Sequence, residues 1–212
     1  MTLADRLKGI KRGGGVSSSM IPIQTGANGD VITDAQAGDI VVAIHGYITN
    51  STTTLLDGFT SIVRKSSSVQ WNTGSSIYYV TGELQYKILT GDETTIPTQQ
   101  GSGNWVQYRP SSPITSVTIQ ELVTSSGTSD LAGAYNSFPQ NESLGCIRVV
   151  GTAGYTSTST VQSLSTGDIQ TIADANTSYS KFLSTNSYNA GTYSTTRGGF
   201  SSPCFYATIK CN

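Results

Sequence analysis

The chain has one histidine and three cysteines among 212 residues, and only 12% of it is charged. Each scarcity excludes a class of chemistry. Any Ser-His-Asp or Cys-His arrangement must pass through His45, which lies inside the apolar run Asp39–Ile48 and reads as a strand histidine with a structural hydrogen bond. No G-x-S-x-G elbow, no G-x-x-x-x-G-K-[ST] loop and no EF-hand spacing occurs. Cys146, Cys204 and Cys211 form no C-x-x-C pair, so they read as free thiols rather than metal ligands. Cys204 and Cys211 flank one strand-like segment at an odd offset, which sets them on opposite faces and excludes a bridge between them. The carboxylate pairs Asp92-Glu93 and Asp168/Asp174 read as turn residues. The expectation is a protein that is not an enzyme and carries no metal or cofactor.

Charge of one sign is also lacking: 12 Lys and Arg balance 13 Asp and Glu, for a net charge of −1. Such a chain has no whole-domain field to draw nucleic acid or an anionic membrane, and neither is expected as a partner. No run of about 18 apolar residues could span a bilayer. Residues 1–19 lack the continuous apolar core of a secretory signal. The Asn-x-Ser/Thr triplets at Asn50, Asn141 and Asn176 therefore read as chance matches.

What the chain has in abundance is Ser and Thr, 30 of each, with 23 Gly and 11 Tyr. Disorder needs high net charge and few aromatics, so this composition points to short strands joined by polar turns. Strands are expected at Asp39–Ile48, Phe59–Arg64, Ser76–Leu89, Thr115–Val123, Leu144–Val150 and Cys204–Cys211, with a short strand or tether at Met20–Ile23. In the first of these, Ile40, Val42, Ile44 and Ile48 share one face, while Val41, Ala43, His45 and Tyr47 share the other. A strand apolar on both faces predicts cover on both sides. Gly82 reads as a bulge in the long strand. Turns are expected at Gly26–Asp30, Thr90–Asp92, Gly101–Gly103, Ser125–Ser129 and Gly151–Gly154. Ala173–Leu183 reads as a short helix or irregular segment, and Ser187–Gly199 as a surface loop. The expected fold is all-β, an antiparallel, jelly-roll-like β-sandwich over residues 20–212.

Residues 1–19 stand apart as a short N-terminal helical or extended arm. Drawn as a helix, Leu3, Leu7 and Ile10 fall on one face, with Arg6, Lys8, Lys11 and Arg12 supplying positive charge. Thr2 suits the N-cap, and Gly13-Gly14-Gly15 followed by Ser17-Ser18-Ser19 makes a flexible joint. A segment this short is not a stable helix alone, so Leu3, Arg6, Leu7, Ile10, Lys11 and Arg12 are expected to dock on a partner protein.

Aromatic rings beside hydrogen-bonding side chains can pack on sugar faces. Trp71, Trp105, Tyr108, Tyr188 and Tyr193, and also Tyr135, have such neighbours and are candidate glycan contacts.

Three segments resemble a β-sandwich module common in bacteriophage structural proteins. Ala37-Gly38-Asp39-Ile40-Val41-Val42 is similar to the module's PGDLLVV opening. Leu56-Asp57-Gly58-Phe59-Thr60 stands where the module carries P-x-GWT, with Phe59 in place of Trp. Leu84-Gln85-Tyr86-Lys87-Ile88-Leu89-Thr90-Gly91-Asp92-Glu93 corresponds to YYRVADGSE. The resemblance implies a virion component assembled in the host cytoplasm. Taken with the arm and the aromatic candidates, the expected function is a tail-associated short fibre, baseplate or adhesin component that binds other virion proteins through its arm, with weak single anchors favouring a homo-oligomer and the aromatic candidates a host surface glycan. A capsid decoration protein is the alternative, and a carbohydrate-binding module or cryptic glycan hydrolase the alternative from another class.

Overall fold

The computed structural model describes residues 20–49, 56–66, 71–73, 76–97, 102–125, 131–135, 145–154, 161–164, 170–175, 180–187, 191–196 and 203–212. The arm at 1–19 lies outside them. The first half supplies β1 (Met20–Ala27), β2 (Ile40–Thr49), β3 (Thr60–Ser66), β4 (Trp71–Thr73), β5 (Ser76–Ile88) and β6 (Ser102–Pro110). The second half supplies β7 (Val117–Ser125), β8 (Ala132–Tyr135), β9 (Cys146–Gly154), β10 (Val161–Leu164), β11 (Gln170–Ala175), β12 (Ser180–Ser187), β13 (Gly191–Thr196) and β14 (Cys204–Cys211). No helix occurs among the described residues.

These strands form three antiparallel sheets. The first runs β1-β6-β2-β5-β3, with β4 pairing to the end of β5. The middle sheet runs β11-β12-β9-β14-β7, and the third, smaller sheet runs β10-β13-β8. Alternation along each strand decides which core a residue enters. From the first sheet, Ile40, Val42, Ile44, Leu84, Val106 and Tyr108 meet Ile147, Val149, Phe205, Ala207, Ile209 and Cys211 of the middle sheet. Each aliphatic or aromatic side chain enclosed here contributes about 1.5–3 kcal/mol in gross transfer terms, which makes this inner core the main cohesive element.

Both sheets are covered on their second faces as well. Val41, Ala43 and Trp105 turn away from the inner core and are roofed by Ile32, Leu56, Phe59, Leu89 and Ile96 from the loops. Val150, Cys204 and Tyr206 of the middle sheet meet Tyr193 on the third and Leu131 just before β8. The Tyr193 and Tyr206 rings stack there at 3.9 Å between centroids and 11° between planes. The two-faced reading of the Ile40 strand is thus observed, and so is the opposite placement of Cys204 and Cys211, which lie in different cores.

Several expectations are corrected. The residues described between Ala173 and Leu183 lie not in a helix but in β11 and β12, where Ile172 pairs with Leu183 and β12 continues onto β9. Ser187–Gly199 contains β13, which pairs with β8 and β10. Gly151–Gly154 continues β9, and Ser102-Gly103 opens β6. Gly103 is in the strand because its Cα packs against the Ile44 carbonyl and Asn28, leaving no room for a Cβ. Gly82 pairs with Gly46 and Lys65 without a shift; the irregularity lies across the ladder in β3, between Ser61 and Val63. Met20–Ile23 belongs to the longer β1, which runs through Gly26 and Ala27 before the turn to Asp30.

Candidate functional site

The segments Ala37–Val42, Leu56–Thr60 and Leu84–Glu93 meet at one end of the first sheet. Leu89 N donates to the Asp39 carbonyl at 2.7 Å and Gly38 N donates to the Leu89 carbonyl at 2.9 Å, which ties the first segment to the third. Phe59 N donates to the Leu56 carbonyl at 2.9 Å, closing the second segment into a turn. Gly38, Gly58 and Gly91 have φ of 92°, 73° and 96°, the left-handed region that favours glycine. Leu56, Phe59 and Leu89 then enter the same outer core as Val41.

Polar side chains at this end are taken up in holding the loops. Asp39, 1% exposed, accepts from Gln36 N at 3.0 Å, Gln107 Nε2 at 2.7 Å, Arg109 Nε at 3.0 Å and Arg109 Nη2 at 2.9 Å. Arg109 also donates to Asp34 Oδ2 at 3.1 Å and to the Asp34 carbonyl at 2.8 Å. The hydrogen bond to Asp39 holds the guanidinium still more firmly protonated than usual. Glu93 accepts from the backbone N–H of Thr90 and Gly91 at 3.0 Å each, and pairs with Lys87 Nζ at 3.1 Å. Burial alone would raise its pKa, but these donors outweigh burial and hold it at about 2.

A second polar row crosses the outer face of the first sheet. His45 stands opposite Glu83 in register, and its Nδ1 lies 3.1 Å from Asn28 Nδ2. That is the structural hydrogen bond expected of it. Glu83, 1% exposed, accepts from Ser61 Oγ at 2.6 Å and from Arg64 Nη2 at 3.1 Å, which fastens β3 across its bulge. On the far side of the molecule, Tyr206 Oη lies 3.2 Å from Thr208 Oγ1 and hydrogen-bonds Arg148, with Glu121 close enough to be felt electrostatically. Burial pushes both Tyr193 and Tyr206 phenols up. The Cys211 thiol is pushed up to about 12 by burial and then by the neighbouring Cys146, which makes it a poor nucleophile. No group of three His, Cys, Asp or Glu among the described residues could hold a metal.

The glycan candidates divide by burial. Trp105 and Tyr108 are fully enclosed, and Tyr193 is only 7% exposed beneath its stack with Tyr206. None of the three offers a ring face to a sugar, because alternation along β6 and β13 sends them into cores. Trp105 instead donates Nε1–H to the Ala27 carbonyl at 2.7 Å. Trp71 lies on β4 and Tyr135 ends β8, but their side chains are outside the described part; Tyr188 lies outside the described residues altogether. The arm residues Leu3, Arg6, Leu7, Ile10, Lys11 and Arg12 are likewise outside them.

Sequence reasoning missed Ile119 and Leu122 on β7. They are 38% and 43% exposed, while Ile21 on β1 and Val31 in the following loop are the other large exposed apolar residues described. The signal was the Gln120-Glu121 pair, which breaks the polar–apolar alternation of Val117–Ser125 and marks a bulge.

These observations define an all-β sandwich with a third sheet on its back and exposed apolar residues on the edge strands β1 and β7. No protein-family model, no curated protein and no solved structure matches the chain. No described helix is long and apolar enough to cross a membrane.

Proposed function

We propose that this chain is a structural component of a bacteriophage virion, part of a tail-associated short fibre, baseplate or adhesin, in which residues 1–19 attach a β-sandwich head. The observation that carries this reading is the convergence of the Gly38-Asp39, Gly58-Phe59 and Gly91-Asp92 turns at one end of one sheet. Segments that are similar to a phage sandwich module only when quoted separately are hydrogen-bonded or packed into one substructure. Asp39, Arg109 and Glu93 are engaged in fastening loops and Glu83 in fastening β3, which suits a scaffold with no reaction of its own.

Physical magnitudes favour many copies. Burying Leu3, Leu7 and Ile10 contributes about 1.5–3 kcal/mol each in gross terms. Association costs on the order of 4 kcal/mol or more, so a single arm holds weakly and a symmetric set of arms holds well. A homo-oligomer seated among other virion proteins meets that requirement. Contact with a host glycan, if it belongs to this head, falls to rings other than Trp105, Tyr108 and Tyr193.

The test is deletion of residues 1–15. Particles assembled with the shortened chain are expected to lose the protein, while the purified variant keeps the β-type circular dichroism and cooperative melt of the full chain. Normal incorporation would overturn the reading. Antibody labelling of intact particles then separates a tail position from the capsid-decoration alternative.

A further inference from the structure

Resting on the reading of residues 1–19 as a docking arm, we propose that the arm's receptor is the β3/β7 edge of a neighbouring copy of this chain. The first sheet ends in β3 and the middle sheet ends in β7, and these two strands contact each other on the same side of the sandwich. Among the described residues β3 pairs only with β5 and β7 only with β14, so each is an edge strand of its sheet.

The bulge in β7 gives this edge its chemistry. Pairing with β14 passes from Thr208↔Glu121 to Ile209↔Ile119, leaving Gln120 out of register. In a regular strand, Ile119 and Leu122 would point to opposite faces. With the extra residue both point to the inner face, opposite Ile209 and Ala207, yet they stand at the rim and stay exposed. Val117 on β7 and Ile62 and Val63 on β3 are partly buried against the inner core beside them. The result is an apolar seam between two sheet edges, open to solvent at Ile119 and Leu122.

Two features point to the arm of another copy as the occupant. Residues 1–19 lead into Met20 of β1, and β1 is the opposite edge of the same sheet. Four strand spacings of about 4.8 Å separate β1 from β3, or about 19 Å. The ten residues from Ile10 to Met20 reach at most about 33 Å. When copies stand side by side in one orientation, the arm leaves from the edge that faces the neighbour's seam. To reach its own seam it would have to round a sandwich whose outer faces are already covered.

Charge supplies the second feature. The arm holds four of the twelve Lys and Arg and one of the thirteen Asp and Glu, so it carries +3 and the remainder −4. Arms repel arms and heads repel heads, whereas an arm is drawn to a head. Exposed Lys65 on β3 is a local partner for Asp5, while Glu121, opposite Thr208, faces the other side of β7 and adds only to the head's overall negative charge. Leu3, Leu7 and Ile10 supply the apolar face. Repeated from edge to opposite edge, the contact is heterologous and generates a ring or a row.

Complementation between two single variants of the full chain tests this. The unaltered chain is expected to assemble beyond the monomer by light scattering over a concentration series. Leu7→Glu, which spoils the arm, and Leu122→Glu, which spoils the seam, are each expected to be monomeric with unchanged circular dichroism. If Leu122→Glu lowers the melting temperature, Leu122→Ser replaces it. Mixed in equal amounts, the two variants are expected to recover a 1:1 dimer, because one keeps its arm and the other its seam. Persistent assembly of Leu7→Glu, a mixture that stays monomeric, or an unaltered chain that is monomeric throughout would each overturn the proposal. A monomeric chain whose incorporation into particles still needs residues 1–15 would refute this receptor and leave the virion reading intact.

Discussion

Arg109 grips Asp39 at two points, Nε to Oδ1 at 3.0 Å and Nη2 to Oδ2 at 2.9 Å, and so joins β6 to the turn that opens β2. Asp39 is buried while Arg109 remains partly exposed, so the carboxylate has more to lose from a broken pair.

Asp39→Ala is therefore expected to destabilise the fold by about 2–4 kcal/mol, since it leaves Gln107 and Arg109 aimed at an empty acceptor position. Arg109→Lys should cost less than Arg109→Ala but not restore full stability, because one ammonium cannot reproduce a planar fork. Chemical denaturation of the three variants checks the order. Equal stability of Asp39→Ala and the parent chain would contradict it.

Glu93 gives a pH signature. Its folded pKa of about 2 lies below the ordinary 4.5, so its stabilising contribution is present above the ordinary value and is lost as pH falls through about 2. Screening by solvent limits that contribution to about 2 kcal/mol at most. The melting temperature of Glu93→Gln should fall below that of the parent at pH 6, and the two should converge as the pH approaches 2.

Two of the positive-φ glycines should respond differently to Ala. A Cβ on Gly91 would stand 2.9 Å from Ala37 N, whereas one on Gly38 meets nothing within 4 Å. Gly38→Ala carries backbone strain alone, about 1 kcal/mol, and Gly91→Ala adds a steric clash with backbone for about 2–3 kcal/mol. Thermal melts that rank Gly38→Ala as the more damaging change would refute this assignment.

The strands legible in the sequence were those with apolar residues clustered or alternating along the run: β2, β3, β5, β7, β14 and the first part of β9. The segments misread were those where Ser, Thr and Gly fill strand positions. At the start of β6 Ser102-Gly103 imitates a turn in the sequence, although Gly103 is there for close packing. In β11 and β12 hydrogen bonding onto β9 decides the conformation, and no local pattern encodes that partner. Three of the candidate glycan contacts, Trp105, Tyr108 and Tyr193, were misplaced for a related reason. Composition places a Trp beside Asn and Gln, but only the register of β6 on β2 shows that Trp105 points into the roofed face. The β7 edge was hidden because exposure at a sheet rim depends on which strand lies outermost.

Because β9 and β14 are enclosed on both faces, the apolar positions along their middle stretches cannot drift toward polar residues without a compensating internal change. Sequence variation compatible with this architecture is channelled to the rims and connecting loops. Two such proteins could therefore share an almost unaltered interior and still attach to quite different neighbours.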